Sequence, residues 1–138
     1  MKTLIYIVVL LIFLIPTKAD MLVKKHEAKK TETLDFIRVK ATMYTVSESQ
    51  TDSTPLVTAS GFKLHPSNPK KHRIIAVSRD LKKKFKFGEK VRVEGVGKYS
   101  GIYIVQDVMN LRWTNKIDIL INPEDKAISY NKARLYKL

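Results

Sequence analysis

The stretch from Gly101 to Ile121 constrains this chain more than any other. Two apolar runs of strand character, 101–105 and 117–121, flank a polar loop. Asp107 closes the first run and Asp118 sits inside the second, between Ile117 and Ile119. An ionised carboxylate among β-branched residues is costly to bury without partners. Two such residues, eleven positions apart at facing ends of consecutive strands, mark a candidate site. Paired carboxylates are the groups that glycosidic-bond chemistry uses.

The rest of the chain reads as short strands broken by turns. From Leu34 to Val46 polar and apolar residues alternate, with Ile37, Val39 and Ala41 on one face. Ser47 to Pro55 is a Ser/Thr/Asp-rich loop holding Asp52, and Leu56 to Ser60 is short and extended before Gly61. His65 to His72, with Pro66, Asn68 and Pro69, is a loop. Arg73 to Ser78 is a strand, and Arg79 to Phe85 is a turn or one basic helical turn. After the turn Phe87-Gly88-Glu89, Lys90 to Val96 alternates again. Asn122-Pro123-Glu124-Asp125 has the form of a helix start, with Asn122 as cap and Pro123 in the first helical position. That helix is expected to run to about Tyr130, followed by a closing strand over Arg134 to Leu138. Six or seven short strands and one short helix make a small all-β barrel or sandwich.

Residues 1–19 stand apart. Lys2, the apolar run Leu4 to Ile15, and Pro16-Thr17-Lys18-Ala19 have the layout of a cleaved signal peptide. An uncleaved anchor is the alternative, and both send the remainder out of the cytoplasm. Residues 20–33 are polar and aperiodic, a tether to a domain over 34–138. The chain has no cysteine, so an exported domain must rely on its own core rather than on disulfides. The formal charge is +13, and removing Lys2 and Lys18 leaves +11. So basic a domain favours anionic partners. Export argues against nucleic acid and for a wall or membrane surface. The runs Lys70-Lys71-His72-Arg73 and Lys82-Lys83-Lys84 offer peripheral association with the envelope, or serve only as solvated faces.

Several blocks, in order, resemble one family. Ala41-Thr42-Met43-Tyr44 is similar to its opening Ala-Thr-Ala-Tyr strand, and Asp52 followed by Thr58-Ala59-Ser60-Gly61 to its first aspartate and Thr-Ala-(Ser/Thr)-Gly. Ile75-Ala76-Val77-Ser78 and the block Phe87 to Gly97 follow in the expected positions. Asp107 and Asp118 fall at the spacing of the second and third family aspartates. Ala127, Tyr130 and Arg134 lie near the family's Ala-x-x-Phe-Gly-Arg ending. From Val39 onward the chain thus resembles the three-Asp ("3D") domain, a six-stranded double-psi β-barrel related to the barrel of lytic transglycosylase A and to rare-lipoprotein-A-like domains. One block departs from it. The family loop Thr-Gly-Gly-Ala-Ile-Lys-Gly is replaced by Val108-Met109-Asn110-Leu111-Arg112-Trp113-Thr114, equal in length but without glycine.

The resemblance implies an exported peptidoglycan-cleaving enzyme, a lytic transglycosylase that cuts between N-acetylmuramic acid and N-acetylglucosamine. One carboxylic acid protonates the leaving oxygen and then takes the proton of the muramyl 6-hydroxyl. Asp118 matches the family position that carries catalysis, and its apolar neighbours favour a raised pKa. Asp107 is the expected like-charged partner and substrate orienter, and Asp52 completes the trio. Thr58 and Ser60 are candidate hydrogen-bond donors to sugar hydroxyls, or belong to a turn before Gly61. Trp113 is a candidate wall for a sugar ring, or a core plug. Arg112 and Lys116 are candidate partners for substrate carboxylates, or solvated charges. No cofactor is expected. No metal site is expected either, since His26, His65 and His72 lack ligand spacing. The lost loop glycines keep a second class open, a non-catalytic peptidoglycan-binding module.

Overall fold

The computed structural model describes residues 17–22, 35–47 and 54–138. The chain divides into two units, Met1–Leu34 and Asp35–Leu138. In the first, residues 18–22 are helical. Thr17 and Asp20 cap that turn reciprocally: Asp20 Oδ2 accepts from the Thr17 backbone N–H at 3.1 Å, and Thr17 Oγ1 accepts from the Asp20 N–H at 3.3 Å. Asp52, and most of the expected signal peptide and tether, lie outside the described residues.

The second unit is a closed barrel of six strands. These are β1 (Phe36–Tyr44), β2 (Ile74–Val77), β3 (Lys90–Glu94), β4 (Gly101–Val108), β5 (Lys116–Leu120) and β6 (Tyr130–Lys137). Around the barrel the order is β1-β5-β2-β4-β3-β6, with β6 closing on β1. Two neighbouring pairs, β1–β5 and β2–β4, are parallel, and the other four are antiparallel. Closure pairs every strand on both sides, so the barrel presents no free edge.

The interior follows from alternation. Val39 and Ala41 of β1, Ile75 and Val77 of β2, Val91 and Val93 of β3, and Ile117 and Ile119 of β5 point inward and are buried together. Tyr103, Val105, Ala133 and Leu135 complete the fill. A second apolar cluster lies on the outer face of β1, β2 and β5, where Tyr44, Ile74, Ala76 and Leu120 meet Leu64 and Met109. All four residues of β2 are therefore buried, two against each cluster.

Most strands fall where the alternation places them, but the end of the chain differs. The helix expected from Asn122 to Tyr130 is absent: residues 122–125 form a turn, 126–129 are irregular, and β6 already begins at Tyr130. The Asp125 carboxylate caps the Asn122 backbone N–H at 3.1 Å, as a helix start requires, but is also bound by Lys70 Nζ at 2.7 Å. The backbone then leaves the turn to reach the barrel, where Ala41 pairs with Tyr130. One capped turn cannot offset the cost of helix nucleation when the following residues have strand partners. Arg79–Lys82 forms a single helical turn, and Pro69–His72 is a 3-10 turn.

Leu135 lies in the strand that closes the barrel, and it is 1% exposed. Leu135→Ala is expected to cost about 2–5 kcal/mol, read as a lowered midpoint in urea unfolding. A change below 1 kcal/mol would contradict this packing.

Candidate functional site

The site is built on the outer face of three adjacent strands. β5 alternates Ile117 and Ile119 inward with Lys116, Asp118 and Leu120 outward. Thr42 of β1 stands opposite Asp118 on one side, and Ala76 of β2 stands opposite it on the other. Ala76 also faces Asp107 of β4. Thr42, Asp118, Ala76 and Asp107 thus form one row across four strands, with the carboxylates on either side of an alanine. Two strand spacings separate their backbones, roughly 10 Å.

Asp107 reaches this row through a β-bulge. Ile75 pairs with Val105, but Ala76 pairs with Asp107, so Gln106 is the extra residue on β4. Simple alternation would put Asp107 on the inner face with Tyr103 and Val105. The bulge turns it outward instead. There Asp107 Oδ1 accepts from the backbone N–H of Ala59 at 3.0 Å and of Val108 at 2.9 Å, and Oδ2 accepts from the Tyr44 hydroxyl at 3.2 Å. Burial raises the Tyr44 pKa well above its ordinary value, and the Asp107 charge adds to this, so Tyr44 stays a phenol and a donor.

Asp118 is in a different environment. Burial is the largest influence on its carboxyl and raises its pKa from 3.8 to about 6. The Thr42 hydroxyl, donating to Oδ1 at 2.8 Å, and the charge of Lys116 act in the opposite direction, while Asp107 adds to the rise. Asp118 can therefore hold or release a proton in mildly acidic solution, as a general acid/base requires.

Both carboxylates line a cavity of about 560 Å³. Pro55, Val57, Ala59 and Leu64 supply one wall from the loop before β2, and Asn110, Arg112 and Trp113 another from the loop between β4 and β5. The glycine-free loop folds through Asn110, whose carbonyl accepts from the Trp113 N–H at 3.0 Å, and through Asn115, which takes a left-handed φ of 49°. Trp113 is half-exposed against the cavity, and Lys116 Nζ lies 3.7 Å from its ring centroid. Lys116 is buried, and that burial lowers its pKa despite the Asp118 charge.

The candidate residues thus separate. Asp107, Asp118, Arg112 and Trp113 all line the cavity, and Lys116 stands beside Trp113 without lining it. Thr58 and Ser60 do not line it. Their hydroxyls bond to each other at 2.9 Å, and Thr58 Oγ1 accepts from the Phe62 N–H at 3.1 Å, building the turn that presents Ala59 to Asp107. Sequence reasoning assigned no role to Thr42, Ala76, Tyr44 or Arg79. Thr42 and Tyr44 share a face by period-two spacing, a signal available beforehand. Arg79 lines the cavity because Ser78, just before it, is pinned to the start of β5, its N–H donating to the Lys116 carbonyl at 2.9 Å. Among the described residues no three His, Asp or Glu side chains group as metal ligands. No family model, curated protein or solved structure matches the chain.

A carboxyl whose pKa is higher folded than unfolded loses stabilising effect as pH rises through that interval. The wild-type chain should therefore lose stability from about pH 4 to pH 6–7 relative to Asp118→Asn, which has no proton to release. The difference is expected to grow by at most about 3 kcal/mol, measured by urea unfolding at pH 4 and pH 7. Parallel pH dependence of the two proteins would contradict the assigned environment.

Proposed function

We propose that this chain is an exported peptidoglycan-cleaving enzyme, a lytic transglycosylase, with Asp118 as its general acid/base. The observation that carries the reading is a carboxyl with a pKa raised to about 6, facing a cavity of about 560 Å³ beside a second carboxylate held by hydrogen bonds. We read the barrel as the double-psi type. Its two parallel pairs, β1–β5 and β2–β4, joined by antiparallel ladders, support that reading. The basic and apolar start of the chain supports export to the periplasm, the cell envelope or the medium.

The chemistry needs one proton donor that becomes an acceptor. Protonated Asp118 gives its proton to the glycosidic oxygen as the bond from the muramyl anomeric carbon breaks. The muramyl 6-hydroxyl then bonds to that carbon, and its proton passes to the Asp118 carboxylate. The residue returns to its starting state, no water is consumed, and the product carries a 1,6-anhydro ring. Thr42 fixes the carboxyl through Oδ1. Asp107, accepting three hydrogen bonds, orients Tyr44 and the Ala59 turn around the substrate. Trp113 offers a face to a sugar ring.

Intact peptidoglycan incubated with the protein is expected to release fragments with anhydromuramyl ends, identified by mass spectrometry. Asp118→Asn should lower their release at least about 100-fold. Reducing ends would replace this mechanism with hydrolysis. Binding without any product would replace the enzyme with a wall-binding module.

The rate should fall as pH rises through about 6, because the acid form of Asp118 is lost. Thr42→Val removes a hydrogen bond that favours the ionised form. It should move that limb of the pH–rate profile to higher pH, and a shift to lower pH would contradict the role of Asp118.

A further inference from the structure

Lys116 and Asp118 carry opposite charges on the same outward face of β5, two residues apart. Their Cα atoms stand about 7 Å apart, a span that a lysine side chain bridges. Yet the two do not pair. The ion pairs among the described residues are Lys70–Asp125, Arg92–Glu94, Arg134–Glu94 and Lys137–Glu89. The Lys116 ammonium lies instead over the Trp113 ring, 3.7 Å from its centroid. The side chain alone makes this choice, because the backbone is pinned. The Lys116 N–H donates to Ser78 Oγ at 3.0 Å, and its carbonyl accepts from the Ser78 N–H at 2.9 Å. Two further cations crowd the same place: Lys40 stands opposite Lys116 on β1, and Arg112 approaches the Trp113 ring at 4.9 Å. Their repulsion favours a nearby anion, so charge alone would close the Lys116–Asp118 pair. The indole competes with it. An aromatic face attracts an ammonium most strongly where water is excluded, and Lys116 is only 8% exposed.

We infer that Trp113 is a positioning residue that holds the Lys116 ammonium away from Asp118, so that the acid keeps its proton. The inference rests on the reading of Asp118 as general acid/base and adds the device that maintains it. A closed ion pair would favour the carboxylate and leave no proton to donate. The other groups around Asp118 do not replace this control. Thr42 of β1 donates to Oδ1, Tyr44 of β1 is a phenol bound to Asp107, and Asp107 of β4 favours the protonated form. Arg79 and Arg112 line the cavity, but the cation whose charge acts on Asp118 is Lys116. The ring stays in place because the loop between β4 and β5 is fixed at both ends of this segment. Asn110 accepts from the Trp113 N–H, and Asn115 takes the left-handed conformation.

The test is the titration of the Asp118 carboxyl, followed by carbon NMR in the full chain labelled at aspartate, with Asp118→Asn identifying its resonance. No substrate is present, so the result is independent of whether glycan is cleaved. Trp113→Leu frees the ammonium to pair with Asp118, and the midpoint of its titration should fall by about one pH unit or more. Trp113→Tyr keeps an aromatic face over Lys116 and should restore the wild-type midpoint. Lys116→Met removes the opposing charge and should raise the midpoint. In that background Trp113→Leu should no longer lower it. The same fall with and without Lys116 would mean that Trp113 acts as a wall against water, and would overturn the inference. So would an unchanged or raised midpoint in Trp113→Leu, or failure of Trp113→Tyr to restore it. A chain that passes this titration but releases no fragment from peptidoglycan would overturn the glycan-cleaving reading and leave the role of Trp113 standing.

Discussion

The carboxylate of Asp107 ties together parts of the chain that sequence keeps far apart. It receives the Tyr44 hydroxyl from β1, the Ala59 N–H from the loop before β2, and the Val108 N–H from its own strand. β1 and β4 are not neighbours in the barrel, since β5 and β2 lie between them. Tyr44, opposite Leu120 on β5, reaches past both strands to Asp107, and Ala76 stands between the two aspartates in their row. A larger residue there would fill the space that separates the two carboxylates.

The same arrangement sets the chemistry of Asp118. The outer face of a barrel strand ordinarily meets water, and a carboxylate there keeps its usual acidity. Here Leu64, Met109 and Tyr44 cover that face as a second apolar cluster beside Ile74 and Leu120. Desolvation then favours the neutral acid. Thr42 and Lys116 oppose it, leaving the group poised near 6 instead of permanently protonated. Asp107 is held by two peptide N–H groups and the Tyr44 hydroxyl, whereas Asp118 has the Thr42 hydroxyl and lies on a face largely covered by apolar side chains.

The loop between β4 and β5 reaches its shape without glycine. Asn115 takes the left-handed conformation, its N–H bonded to Asp80 Oδ2 at 2.9 Å, and its carbonyl accepts from the Lys40 N–H at 3.2 Å. Asparagine tolerates such a φ better than most residues. The loop therefore has room for Leu111, Arg112 and Trp113, and it gives the cavity a wall that is both aromatic and basic.

Local patterning in the sequence determined a great deal. Period-two alternation is a property of neighbouring residues, so Val91 and Val93, or Ile117 and Ile119, declared an inner face before any pairing was known. The same alternation puts Asp118 on the opposite face from those isoleucines, where it would meet solvent, and only its apolar chain neighbours pointed to a shielded acid. What alternation could not reveal depends on pairing register, which is set between strands distant in sequence. The bulge at Gln106 exists only relative to β2, and it reversed the face on which Asp107 lies. The turn at Asn122 satisfied the local rules of a helix start, yet β1 claimed the residues that followed. Arg79 joined the cavity through the pairing of Ser78 with Lys116, and Tyr44 found its partner across two strands. The sequence by itself determined most of the strands and singled out Asp118. The tertiary structure decided which side chains surround that acid, because closing the barrel, not chain proximity, brings them to one face.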